Sequence, residues 1–69
     1  MIEVTITNQE LLKLPGAWAA DHYVAEKLRA AGVPIQGSIS RFSIDDGFLV
    51  ISEIEDAAIY VYVPTEEST

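Results

Sequence analysis

The chain has 69 residues, enough for one domain only, because a chain this short buries about 60% of its unfolded surface and cannot divide it between two cores. It contains no cysteine, which excludes disulfides and thiolate metal sites. Residues 1–41 carry four acids and four bases, so the whole formal charge of −7 arises in residues 42–69, which have no Lys or Arg. This asymmetry opposes direct nucleic-acid binding, which depends on Lys and Arg at the phosphates.

The first element predicted is a strand over residues 2–7, because Ile2, Val4 and Ile6 alternate with polar residues. Thr7 or Asn8 then caps a short helical turn, with Glu10 three residues after Thr7 in a capping-box arrangement. The N-terminus, Met1-Ile2-Glu3-Val4, has no basic region and is not followed by a run of seven or more apolar residues, so no secretory signal is predicted. We therefore expect a cytoplasmic protein that does not insert into membranes.

A long helix is predicted from Ala17 to Ala31, ended by Gly32 and Pro34. Its apolar stripe is shallow, with many alanines, so the helix should lie close to a sheet whose side chains supply most of the core volume. Trp18 lies at the edge of this stripe, where it can cap the core, the preferred interpretation, or anchor a binding partner. Asp21 falls within the stripe, and because an unpaired buried carboxylate is costly, it should sit at the rim of the core, accept a hydrogen bond from the backbone or a tyrosine, or contact a partner protein.

The second half of the chain is predicted to form an antiparallel meander. Apolar residues occupy odd positions up to Ile39 and even positions from Phe42, which requires a bulge or a break near Ser40 and Arg41. Asp45-Asp46-Gly47 is typical of a hairpin turn, and a second polar turn follows at residues 53–56. The apolar run at residues 48–51 and the alternating segment at residues 59–63 are the last two strands.

These elements predict an α+β fold in one small domain over residues 1–64. The order is β-α-β-β-β, with one long helix packed on the meander. Residues 65–69 are predicted to be a flexible acidic tail.

The predicted sheet has two faces that favour burial. Along the last strand, Ile59, Val61 and Val63 point to one face while Tyr60 and Tyr62 point to the other. A helix of about 15 residues is about 22 Å long and covers one face of a small sheet. Either the two tyrosines lie partly exposed with their hydroxyls in water, or the second face contacts another molecule, a second copy in a homodimer or a different protein.

No combination of residues indicates catalysis or cofactor binding. His22 is predicted to lie on the wet face of the helix, paired with Glu26 one turn later. Asp46, Gly47 and Glu53 have part of the spacing of a calcium loop, but the first ligand positions would be Phe42 and Ile44. We therefore predict no enzyme, no cofactor and no metal site, with a weak surface cation site among the acids after Ile44 as the lesser alternative.

The function indicated is a protein–protein interaction module that binds a protein partner, which its acidity suggests is basic, through an acidic, tyrosine-bearing sheet. Small acidic inhibitors and accessory proteins of phages and mobile elements are similar in size and charge, an analogy that rests on those two properties alone. The alternative is a small structural subunit of a larger assembly, for instance a viral one. The predicted partner-binding residues are Tyr60, Tyr62, Asp45, Asp46, Glu53, Glu55, Asp56 and Trp18.

Overall fold

The computed structural model describes residues 1–65, so all but the first residue of the predicted tail lies outside the described part. The described elements, in chain order, are β1 (Ile2–Thr7), α1 (Asn8–Leu12), α2 (Ala17–Ala30), β2 (Ile35–Ser38), β3 (Arg41–Ile44), β4 (Phe48–Glu53) and β5 (Ala57–Val63). The predicted α+β class, with antiparallel sheets and one main helix, is confirmed.

The strands form two antiparallel sheets rather than one meander. A three-stranded sheet has the order β1-β5-β4, and β2 pairs with β3 in a separate two-stranded sheet. β1 pairs along β5 from Ile2 opposite Tyr62 to Thr7 opposite Ala57. β4 pairs with the other side of β5, from Phe48 opposite Val63 onward. The first and last strands of the chain therefore lie side by side.

The parity change after Ile39 is confirmed as a break. Ser38 pairs with Arg41, so residues 39 and 40 form the turn of the β2–β3 hairpin. The structure therefore has two strands here, β2 and β3, where the predicted order β-α-β-β-β has one. The prediction of a hairpin at Asp45-Asp46-Gly47 is wrong, because β3 and β4 belong to different sheets.

The segment between β3 and β4 is held against the end of β5 instead. The Tyr62 hydroxyl donates a hydrogen bond to the Asp46 carbonyl at 2.5 Å. Gly47 has a positive φ, 96°, and a Cβ at this position would collide with the Val63 carbonyl oxygen. These contacts with β5 explain why turn-forming residues here do not close a hairpin.

Two helical predictions are confirmed in detail. Thr7 caps α1, with its side chain accepting from the Glu10 backbone N–H and its own N–H donating to the Glu10 carboxylate at 2.8 Å. α2 ends at Ala30, one residue earlier than predicted, and Gly32 follows with φ of 103°.

The core lies between α2 and the sheets. α2 contributes Val24, Ala25 and Leu28, all buried, and these pack in one cluster with residues of β1, β2 and β5. Arg29 also joins α2 to β2, because its guanidinium donates to the Ile35 carbonyl, at 3.1 Å, and to the Gly37 carbonyl. The long helix thus packs on one side of the strands only.

Glu10 links α1 to α2 and makes the stability of the fold sensitive to acid. Its carboxylate accepts from Lys27 Nζ and from the Tyr23 hydroxyl, each at 2.5 Å. The Lys27 hydrogen bond, and then those from Tyr23 and the Thr7 backbone, lower the pKa of Glu10 from its ordinary 4.5 to about 2. Because the folded-state pKa is depressed, this contribution to stability is complete above about pH 4.5 and is lost as the pH falls toward 2.

We expect Glu10→Gln to lower the free energy of unfolding at pH 7 and to have little effect near pH 2, where the wild-type carboxyl is also becoming protonated. Urea unfolding of both proteins across this pH range measures the difference. Glu26→Gln is the matched control, since Glu26 is exposed and forms only a surface pair with Arg29. A difference between Glu10→Gln and wild type that stays constant from pH 7 to pH 2 would contradict the assignment.

Candidate interaction surface

The register of the three-stranded sheet assigns its residues to two faces, because residues directly opposite each other in an antiparallel pair point to the same side. The face toward α2 carries Ile2, Val4, Ile6, Leu49, Ile51, Ala58, Tyr60 and Tyr62. The opposite side, here called the outer face, has an apolar part formed by Phe48, Val50, Ile59, Val61 and Val63.

Tyr60 and Tyr62, two of the predicted partner-binding residues, lie on the buried face of the sheet and not on its open one. They are 7% and 5% exposed and belong to the core cluster. Burial, followed by the charges of Glu53 and Asp21, raises the pKa of Tyr60. The physical reason is steric: the helix presents Ala25 and few bulky residues, so the space between helix and sheet is filled by the larger strand side chains.

The outer face is the side that α2 leaves uncovered. Phe48 and Val50 are 50% and 44% exposed, and Ile59, Val61 and Val63 are partly exposed. The expectation that one face of the sheet would remain open therefore holds, but the open face carries phenylalanine and β-branched residues instead of tyrosines.

The predicted acidic residues lie at both ends of β4. Asp45 and Asp46 precede the strand, Glu53 ends it, and Glu55 and Asp56 form the turn to β5. All five are exposed, and no Lys or Arg occurs from residue 42 to residue 65. We call these two groups the acidic ends. A six-residue strand spans about 17 Å, so the acidic ends lie at the two ends of the apolar strip that Phe48 and Val50 form on β4. The Glu53 side chain, opposite Ala58 in the register, lies on the side that faces α2.

Trp18 forms a second exposed feature, and the prediction that it caps the core is wrong. It is 76% exposed, and its ring contacts the His22 ring at a tilt of 53°, with 4.3 Å between centroids. The reason is that α2 buries only residues of its second half, so its first turn extends beyond the core. Glu26 pairs with Arg29 at 3.2 Å rather than with His22 as predicted.

Asp21, expected at the rim of the core with a partner, is partly exposed and accepts a hydrogen bond from the Ser40 hydroxyl in the β2–β3 turn. This bond ties α2 to the tip of the hairpin. Asp21 therefore has a structural partner and adds nothing to the acidic ends.

Other kinds of site were sought in the same part of the chain. Within residues 1–65, no three His, Asp or Glu side chains are grouped so that they could hold a metal ion. Across the same residues, no helix is both long and apolar enough to cross a membrane. The surface features that stand out are thus the outer face with its acidic ends and the Trp18–His22 pair. No family model matches the chain, and no curated protein or solved structure matches it either.

Proposed function

We propose that this chain is a non-enzymatic protein–protein interaction module that binds a basic protein through its outer face. The observation that carries the proposal is the exposed apolar strip of Phe48 and Val50 between two acidic ends. Apolar patches rimmed by polar residues are typical of interaction sites on soluble proteins. Carboxylates around such a patch steer a basic partner toward it and disfavour acidic ones.

The biological role that we propose is that of a cytoplasmic accessory or inhibitor protein of the kind encoded by phages and mobile elements. An inhibitor of this kind occupies the basic nucleic-acid groove of a larger protein. The support is the charge, −7 overall with no base after residue 41, which repels nucleic acid and attracts the surfaces that bind it.

A homodimer is the other occupant that the sequence indicated for the open face. Apolar burial favours it, but each copy would bring its acidic ends toward those of the other, and like charges across an interface oppose association. Sedimentation velocity over a concentration series measures the balance. If only monomer is found up to high micromolar concentrations, the homodimer is excluded and the basic protein remains the proposed occupant of the outer face.

The alternative function, a small structural subunit of a larger and possibly viral assembly, is favoured by one specific observation. In the part of the chain that the structure describes, β1 and β4 are the edges of the three-stranded sheet and pair with no further strand, and sheets in assemblies extend by adding strands at such edges. Recovery of the protein only within a large particle, never free, would favour this alternative.

The test of the main proposal is affinity capture from host-cell lysate with two variants of equal charge change. Val50→Lys places a cation in the middle of the outer face, whereas Ala30→Lys places one at an exposed position near the end of α2. We expect Val50→Lys to retain about tenfold less of the captured basic protein than wild type, since a like charge and a lost apolar contact each weaken the complex. Ala30→Lys should capture as wild type does.

Salt concentration is varied in the same experiment. A complex in which the acidic ends contribute should weaken between low and high ionic strength. Equal capture by Val50→Lys and wild type, or captured proteins without basic surfaces, would contradict the proposal.

A further inference from the structure

Among residues 1–65, the outer edge of β4 has a row of backbone groups with no strand partner. Ile54 N–H donates to the Ala57 carbonyl across the β4–β5 turn at 2.9 Å. Because hydrogen-bonded pairs alternate along an antiparallel ladder, every second residue of β4 bonds to β5. The backbone N–H and C=O groups of the residues between them, Leu49, Ile51 and Glu53, therefore point away from the sheet.

Within the described residues, several features that normally protect edge strands are missing from β4. Lys or Pro on the strand, a bulge, or a covering helix or loop usually blocks pairing with another chain. β4 contains neither Lys nor Pro, its register with β5 runs without interruption, and Ile51 is 46% exposed. Edge β1 differs, since its Thr7 N–H is already bonded to Glu10. The edge of β4 is the more open template.

The surroundings of this edge favour a basic strand. The acidic ends lie before and after β4, so an added strand of similar length would have its two ends beside carboxylates. A surface depression between α1 and the β4–β5 hairpin is lined by Leu11, Glu53, Glu55 and Tyr60, among others. On an added strand, a Lys or Arg opposite Glu53 would point to the same side of the sheet as the Glu53 side chain. Its charged group could then pair with the carboxylates of Glu53 and Glu55.

A second copy of β4 fits this edge poorly. In an antiparallel pair, the Asp45 and Asp46 end of one strand would face the Glu55 and Asp56 end of the other, and in a parallel pair each acidic end would face its equal. Either arrangement places like charges opposite each other, which destabilises pairing. Charge complementarity therefore favours a different chain.

We propose that an extended basic segment of the partner adds to β4 as a fourth strand of the sheet. This inference rests on the proposed function, because it names the way in which the basic partner binds. Main-chain hydrogen bonds to Leu49, Ile51 and Glu53 supply affinity, and the two acidic ends select a segment with Lys or Arg at both ends.

The probe for the test is a synthetic peptide with two lysines at each end and five alternating threonines and valines between them. Two versions carry N-methyl groups on alternate residues, one on the odd positions and one on the even. An added strand turns every second N–H toward β4, so one version should bind at least about tenfold more weakly than the other.

Binding is followed by NMR on the ¹⁵N-labelled full chain. Amide exchange should slow at Leu49, Ile51 and Glu53, while Val50 and Ser52, already bonded to β5, serve as internal controls.

The outcomes separate the two proposals. A difference between the methylated versions together with slower exchange at the three outward amides supports strand addition. Equal binding of both versions, or no binding of the unmethylated peptide up to about 1 mM, overturns it. The proposed function is tested separately, by lysate capture with Val50→Lys. If Val50→Lys fails to capture the basic protein, the outer face is still supported as the binding site, even when the peptide experiment overturns strand addition.

Discussion

Gly47→Ala is expected to lower the free energy of unfolding by about 3 kcal/mol or more, because two penalties act together. A φ of 96° costs a residue with a side chain about 1–3 kcal/mol. The new Cβ would also collide with the Val63 carbonyl oxygen and lie 2.8 Å from Pro64 Cα, so the end of β5 must shift. A chain of this length is stable by only about 3–10 kcal/mol, so the loss removes a third of that stability at the upper end of the range and all of it at the lower end.

Gly16→Ala is the matched control for this experiment. Gly16 has a similar φ, 104°, but a Cβ there meets no atom within 4 Å. It should therefore lose only the conformational part, about 1–3 kcal/mol. Urea unfolding monitored by circular dichroism measures both variants. Equal losses would show that the segment before β4 is not packed against β5 as described.

Tyr62→Ala is expected to cost about 3–5 kcal/mol, the range for removing a buried aromatic side chain. The ring is 5% exposed, and its hydroxyl holds the Asp46 carbonyl. Val61 is the neighbouring residue on the outer face, and Val61→Thr keeps its shape and its preference for strands, so it should cost less than about 1 kcal/mol. The two variants compare the faces of one strand.

Thermal or urea unfolding of these two variants decides which face is the core. A large loss for Tyr62→Ala with little change for Val61→Thr agrees with the tyrosines inside. The reverse order would mean that the aliphatic side packs on α2, as would follow from an exposed, partner-binding tyrosine face.

The features that were predictable from the sequence are those set by residues close together in the chain. Thr7 and Glu10 are three residues apart and form the capping box, and Gly32 follows the end of α2. The alternation of Ile2, Val4 and Ile6 is visible within one strand. In each case the interacting groups are close in the sequence, so the sequence pattern alone predicts the local structure.

The features that were missed depend on contacts between distant parts of the chain. Alternation along β5 shows that two faces differ, but it does not rank Tyr60 and Tyr62 against valine and isoleucine when both sets are apolar. The alanines of α2 indicate which set faces the helix. Small helix side chains leave space that bulky side chains on the facing strand must fill. The pairing of β1 with β5, and the split of the meander at Gly47, depend on contacts between segments far apart in the sequence.

The same distinction applies to the candidate site. The acids at the turns could be predicted because turns favour exposed polar residues. The side of the sheet that they frame could not be, since it depends on where α2 packs. The position of Trp18 at the edge of the helical stripe predicts contact with the core. The prediction fails because the stripe does not show how far the sheets extend along α2.

The central claim, that the outer face binds a basic protein, is tested most directly by mapping the captured partner onto the ¹⁵N-labelled chain by NMR titration. We predict that the largest chemical-shift changes occur along β4 and β5, at Phe48, Val50 and Val61, and extend to the acidic ends. Changes confined to the first turn of α2, around Trp18 and His22, with β4 and β5 unaffected, would contradict the claim.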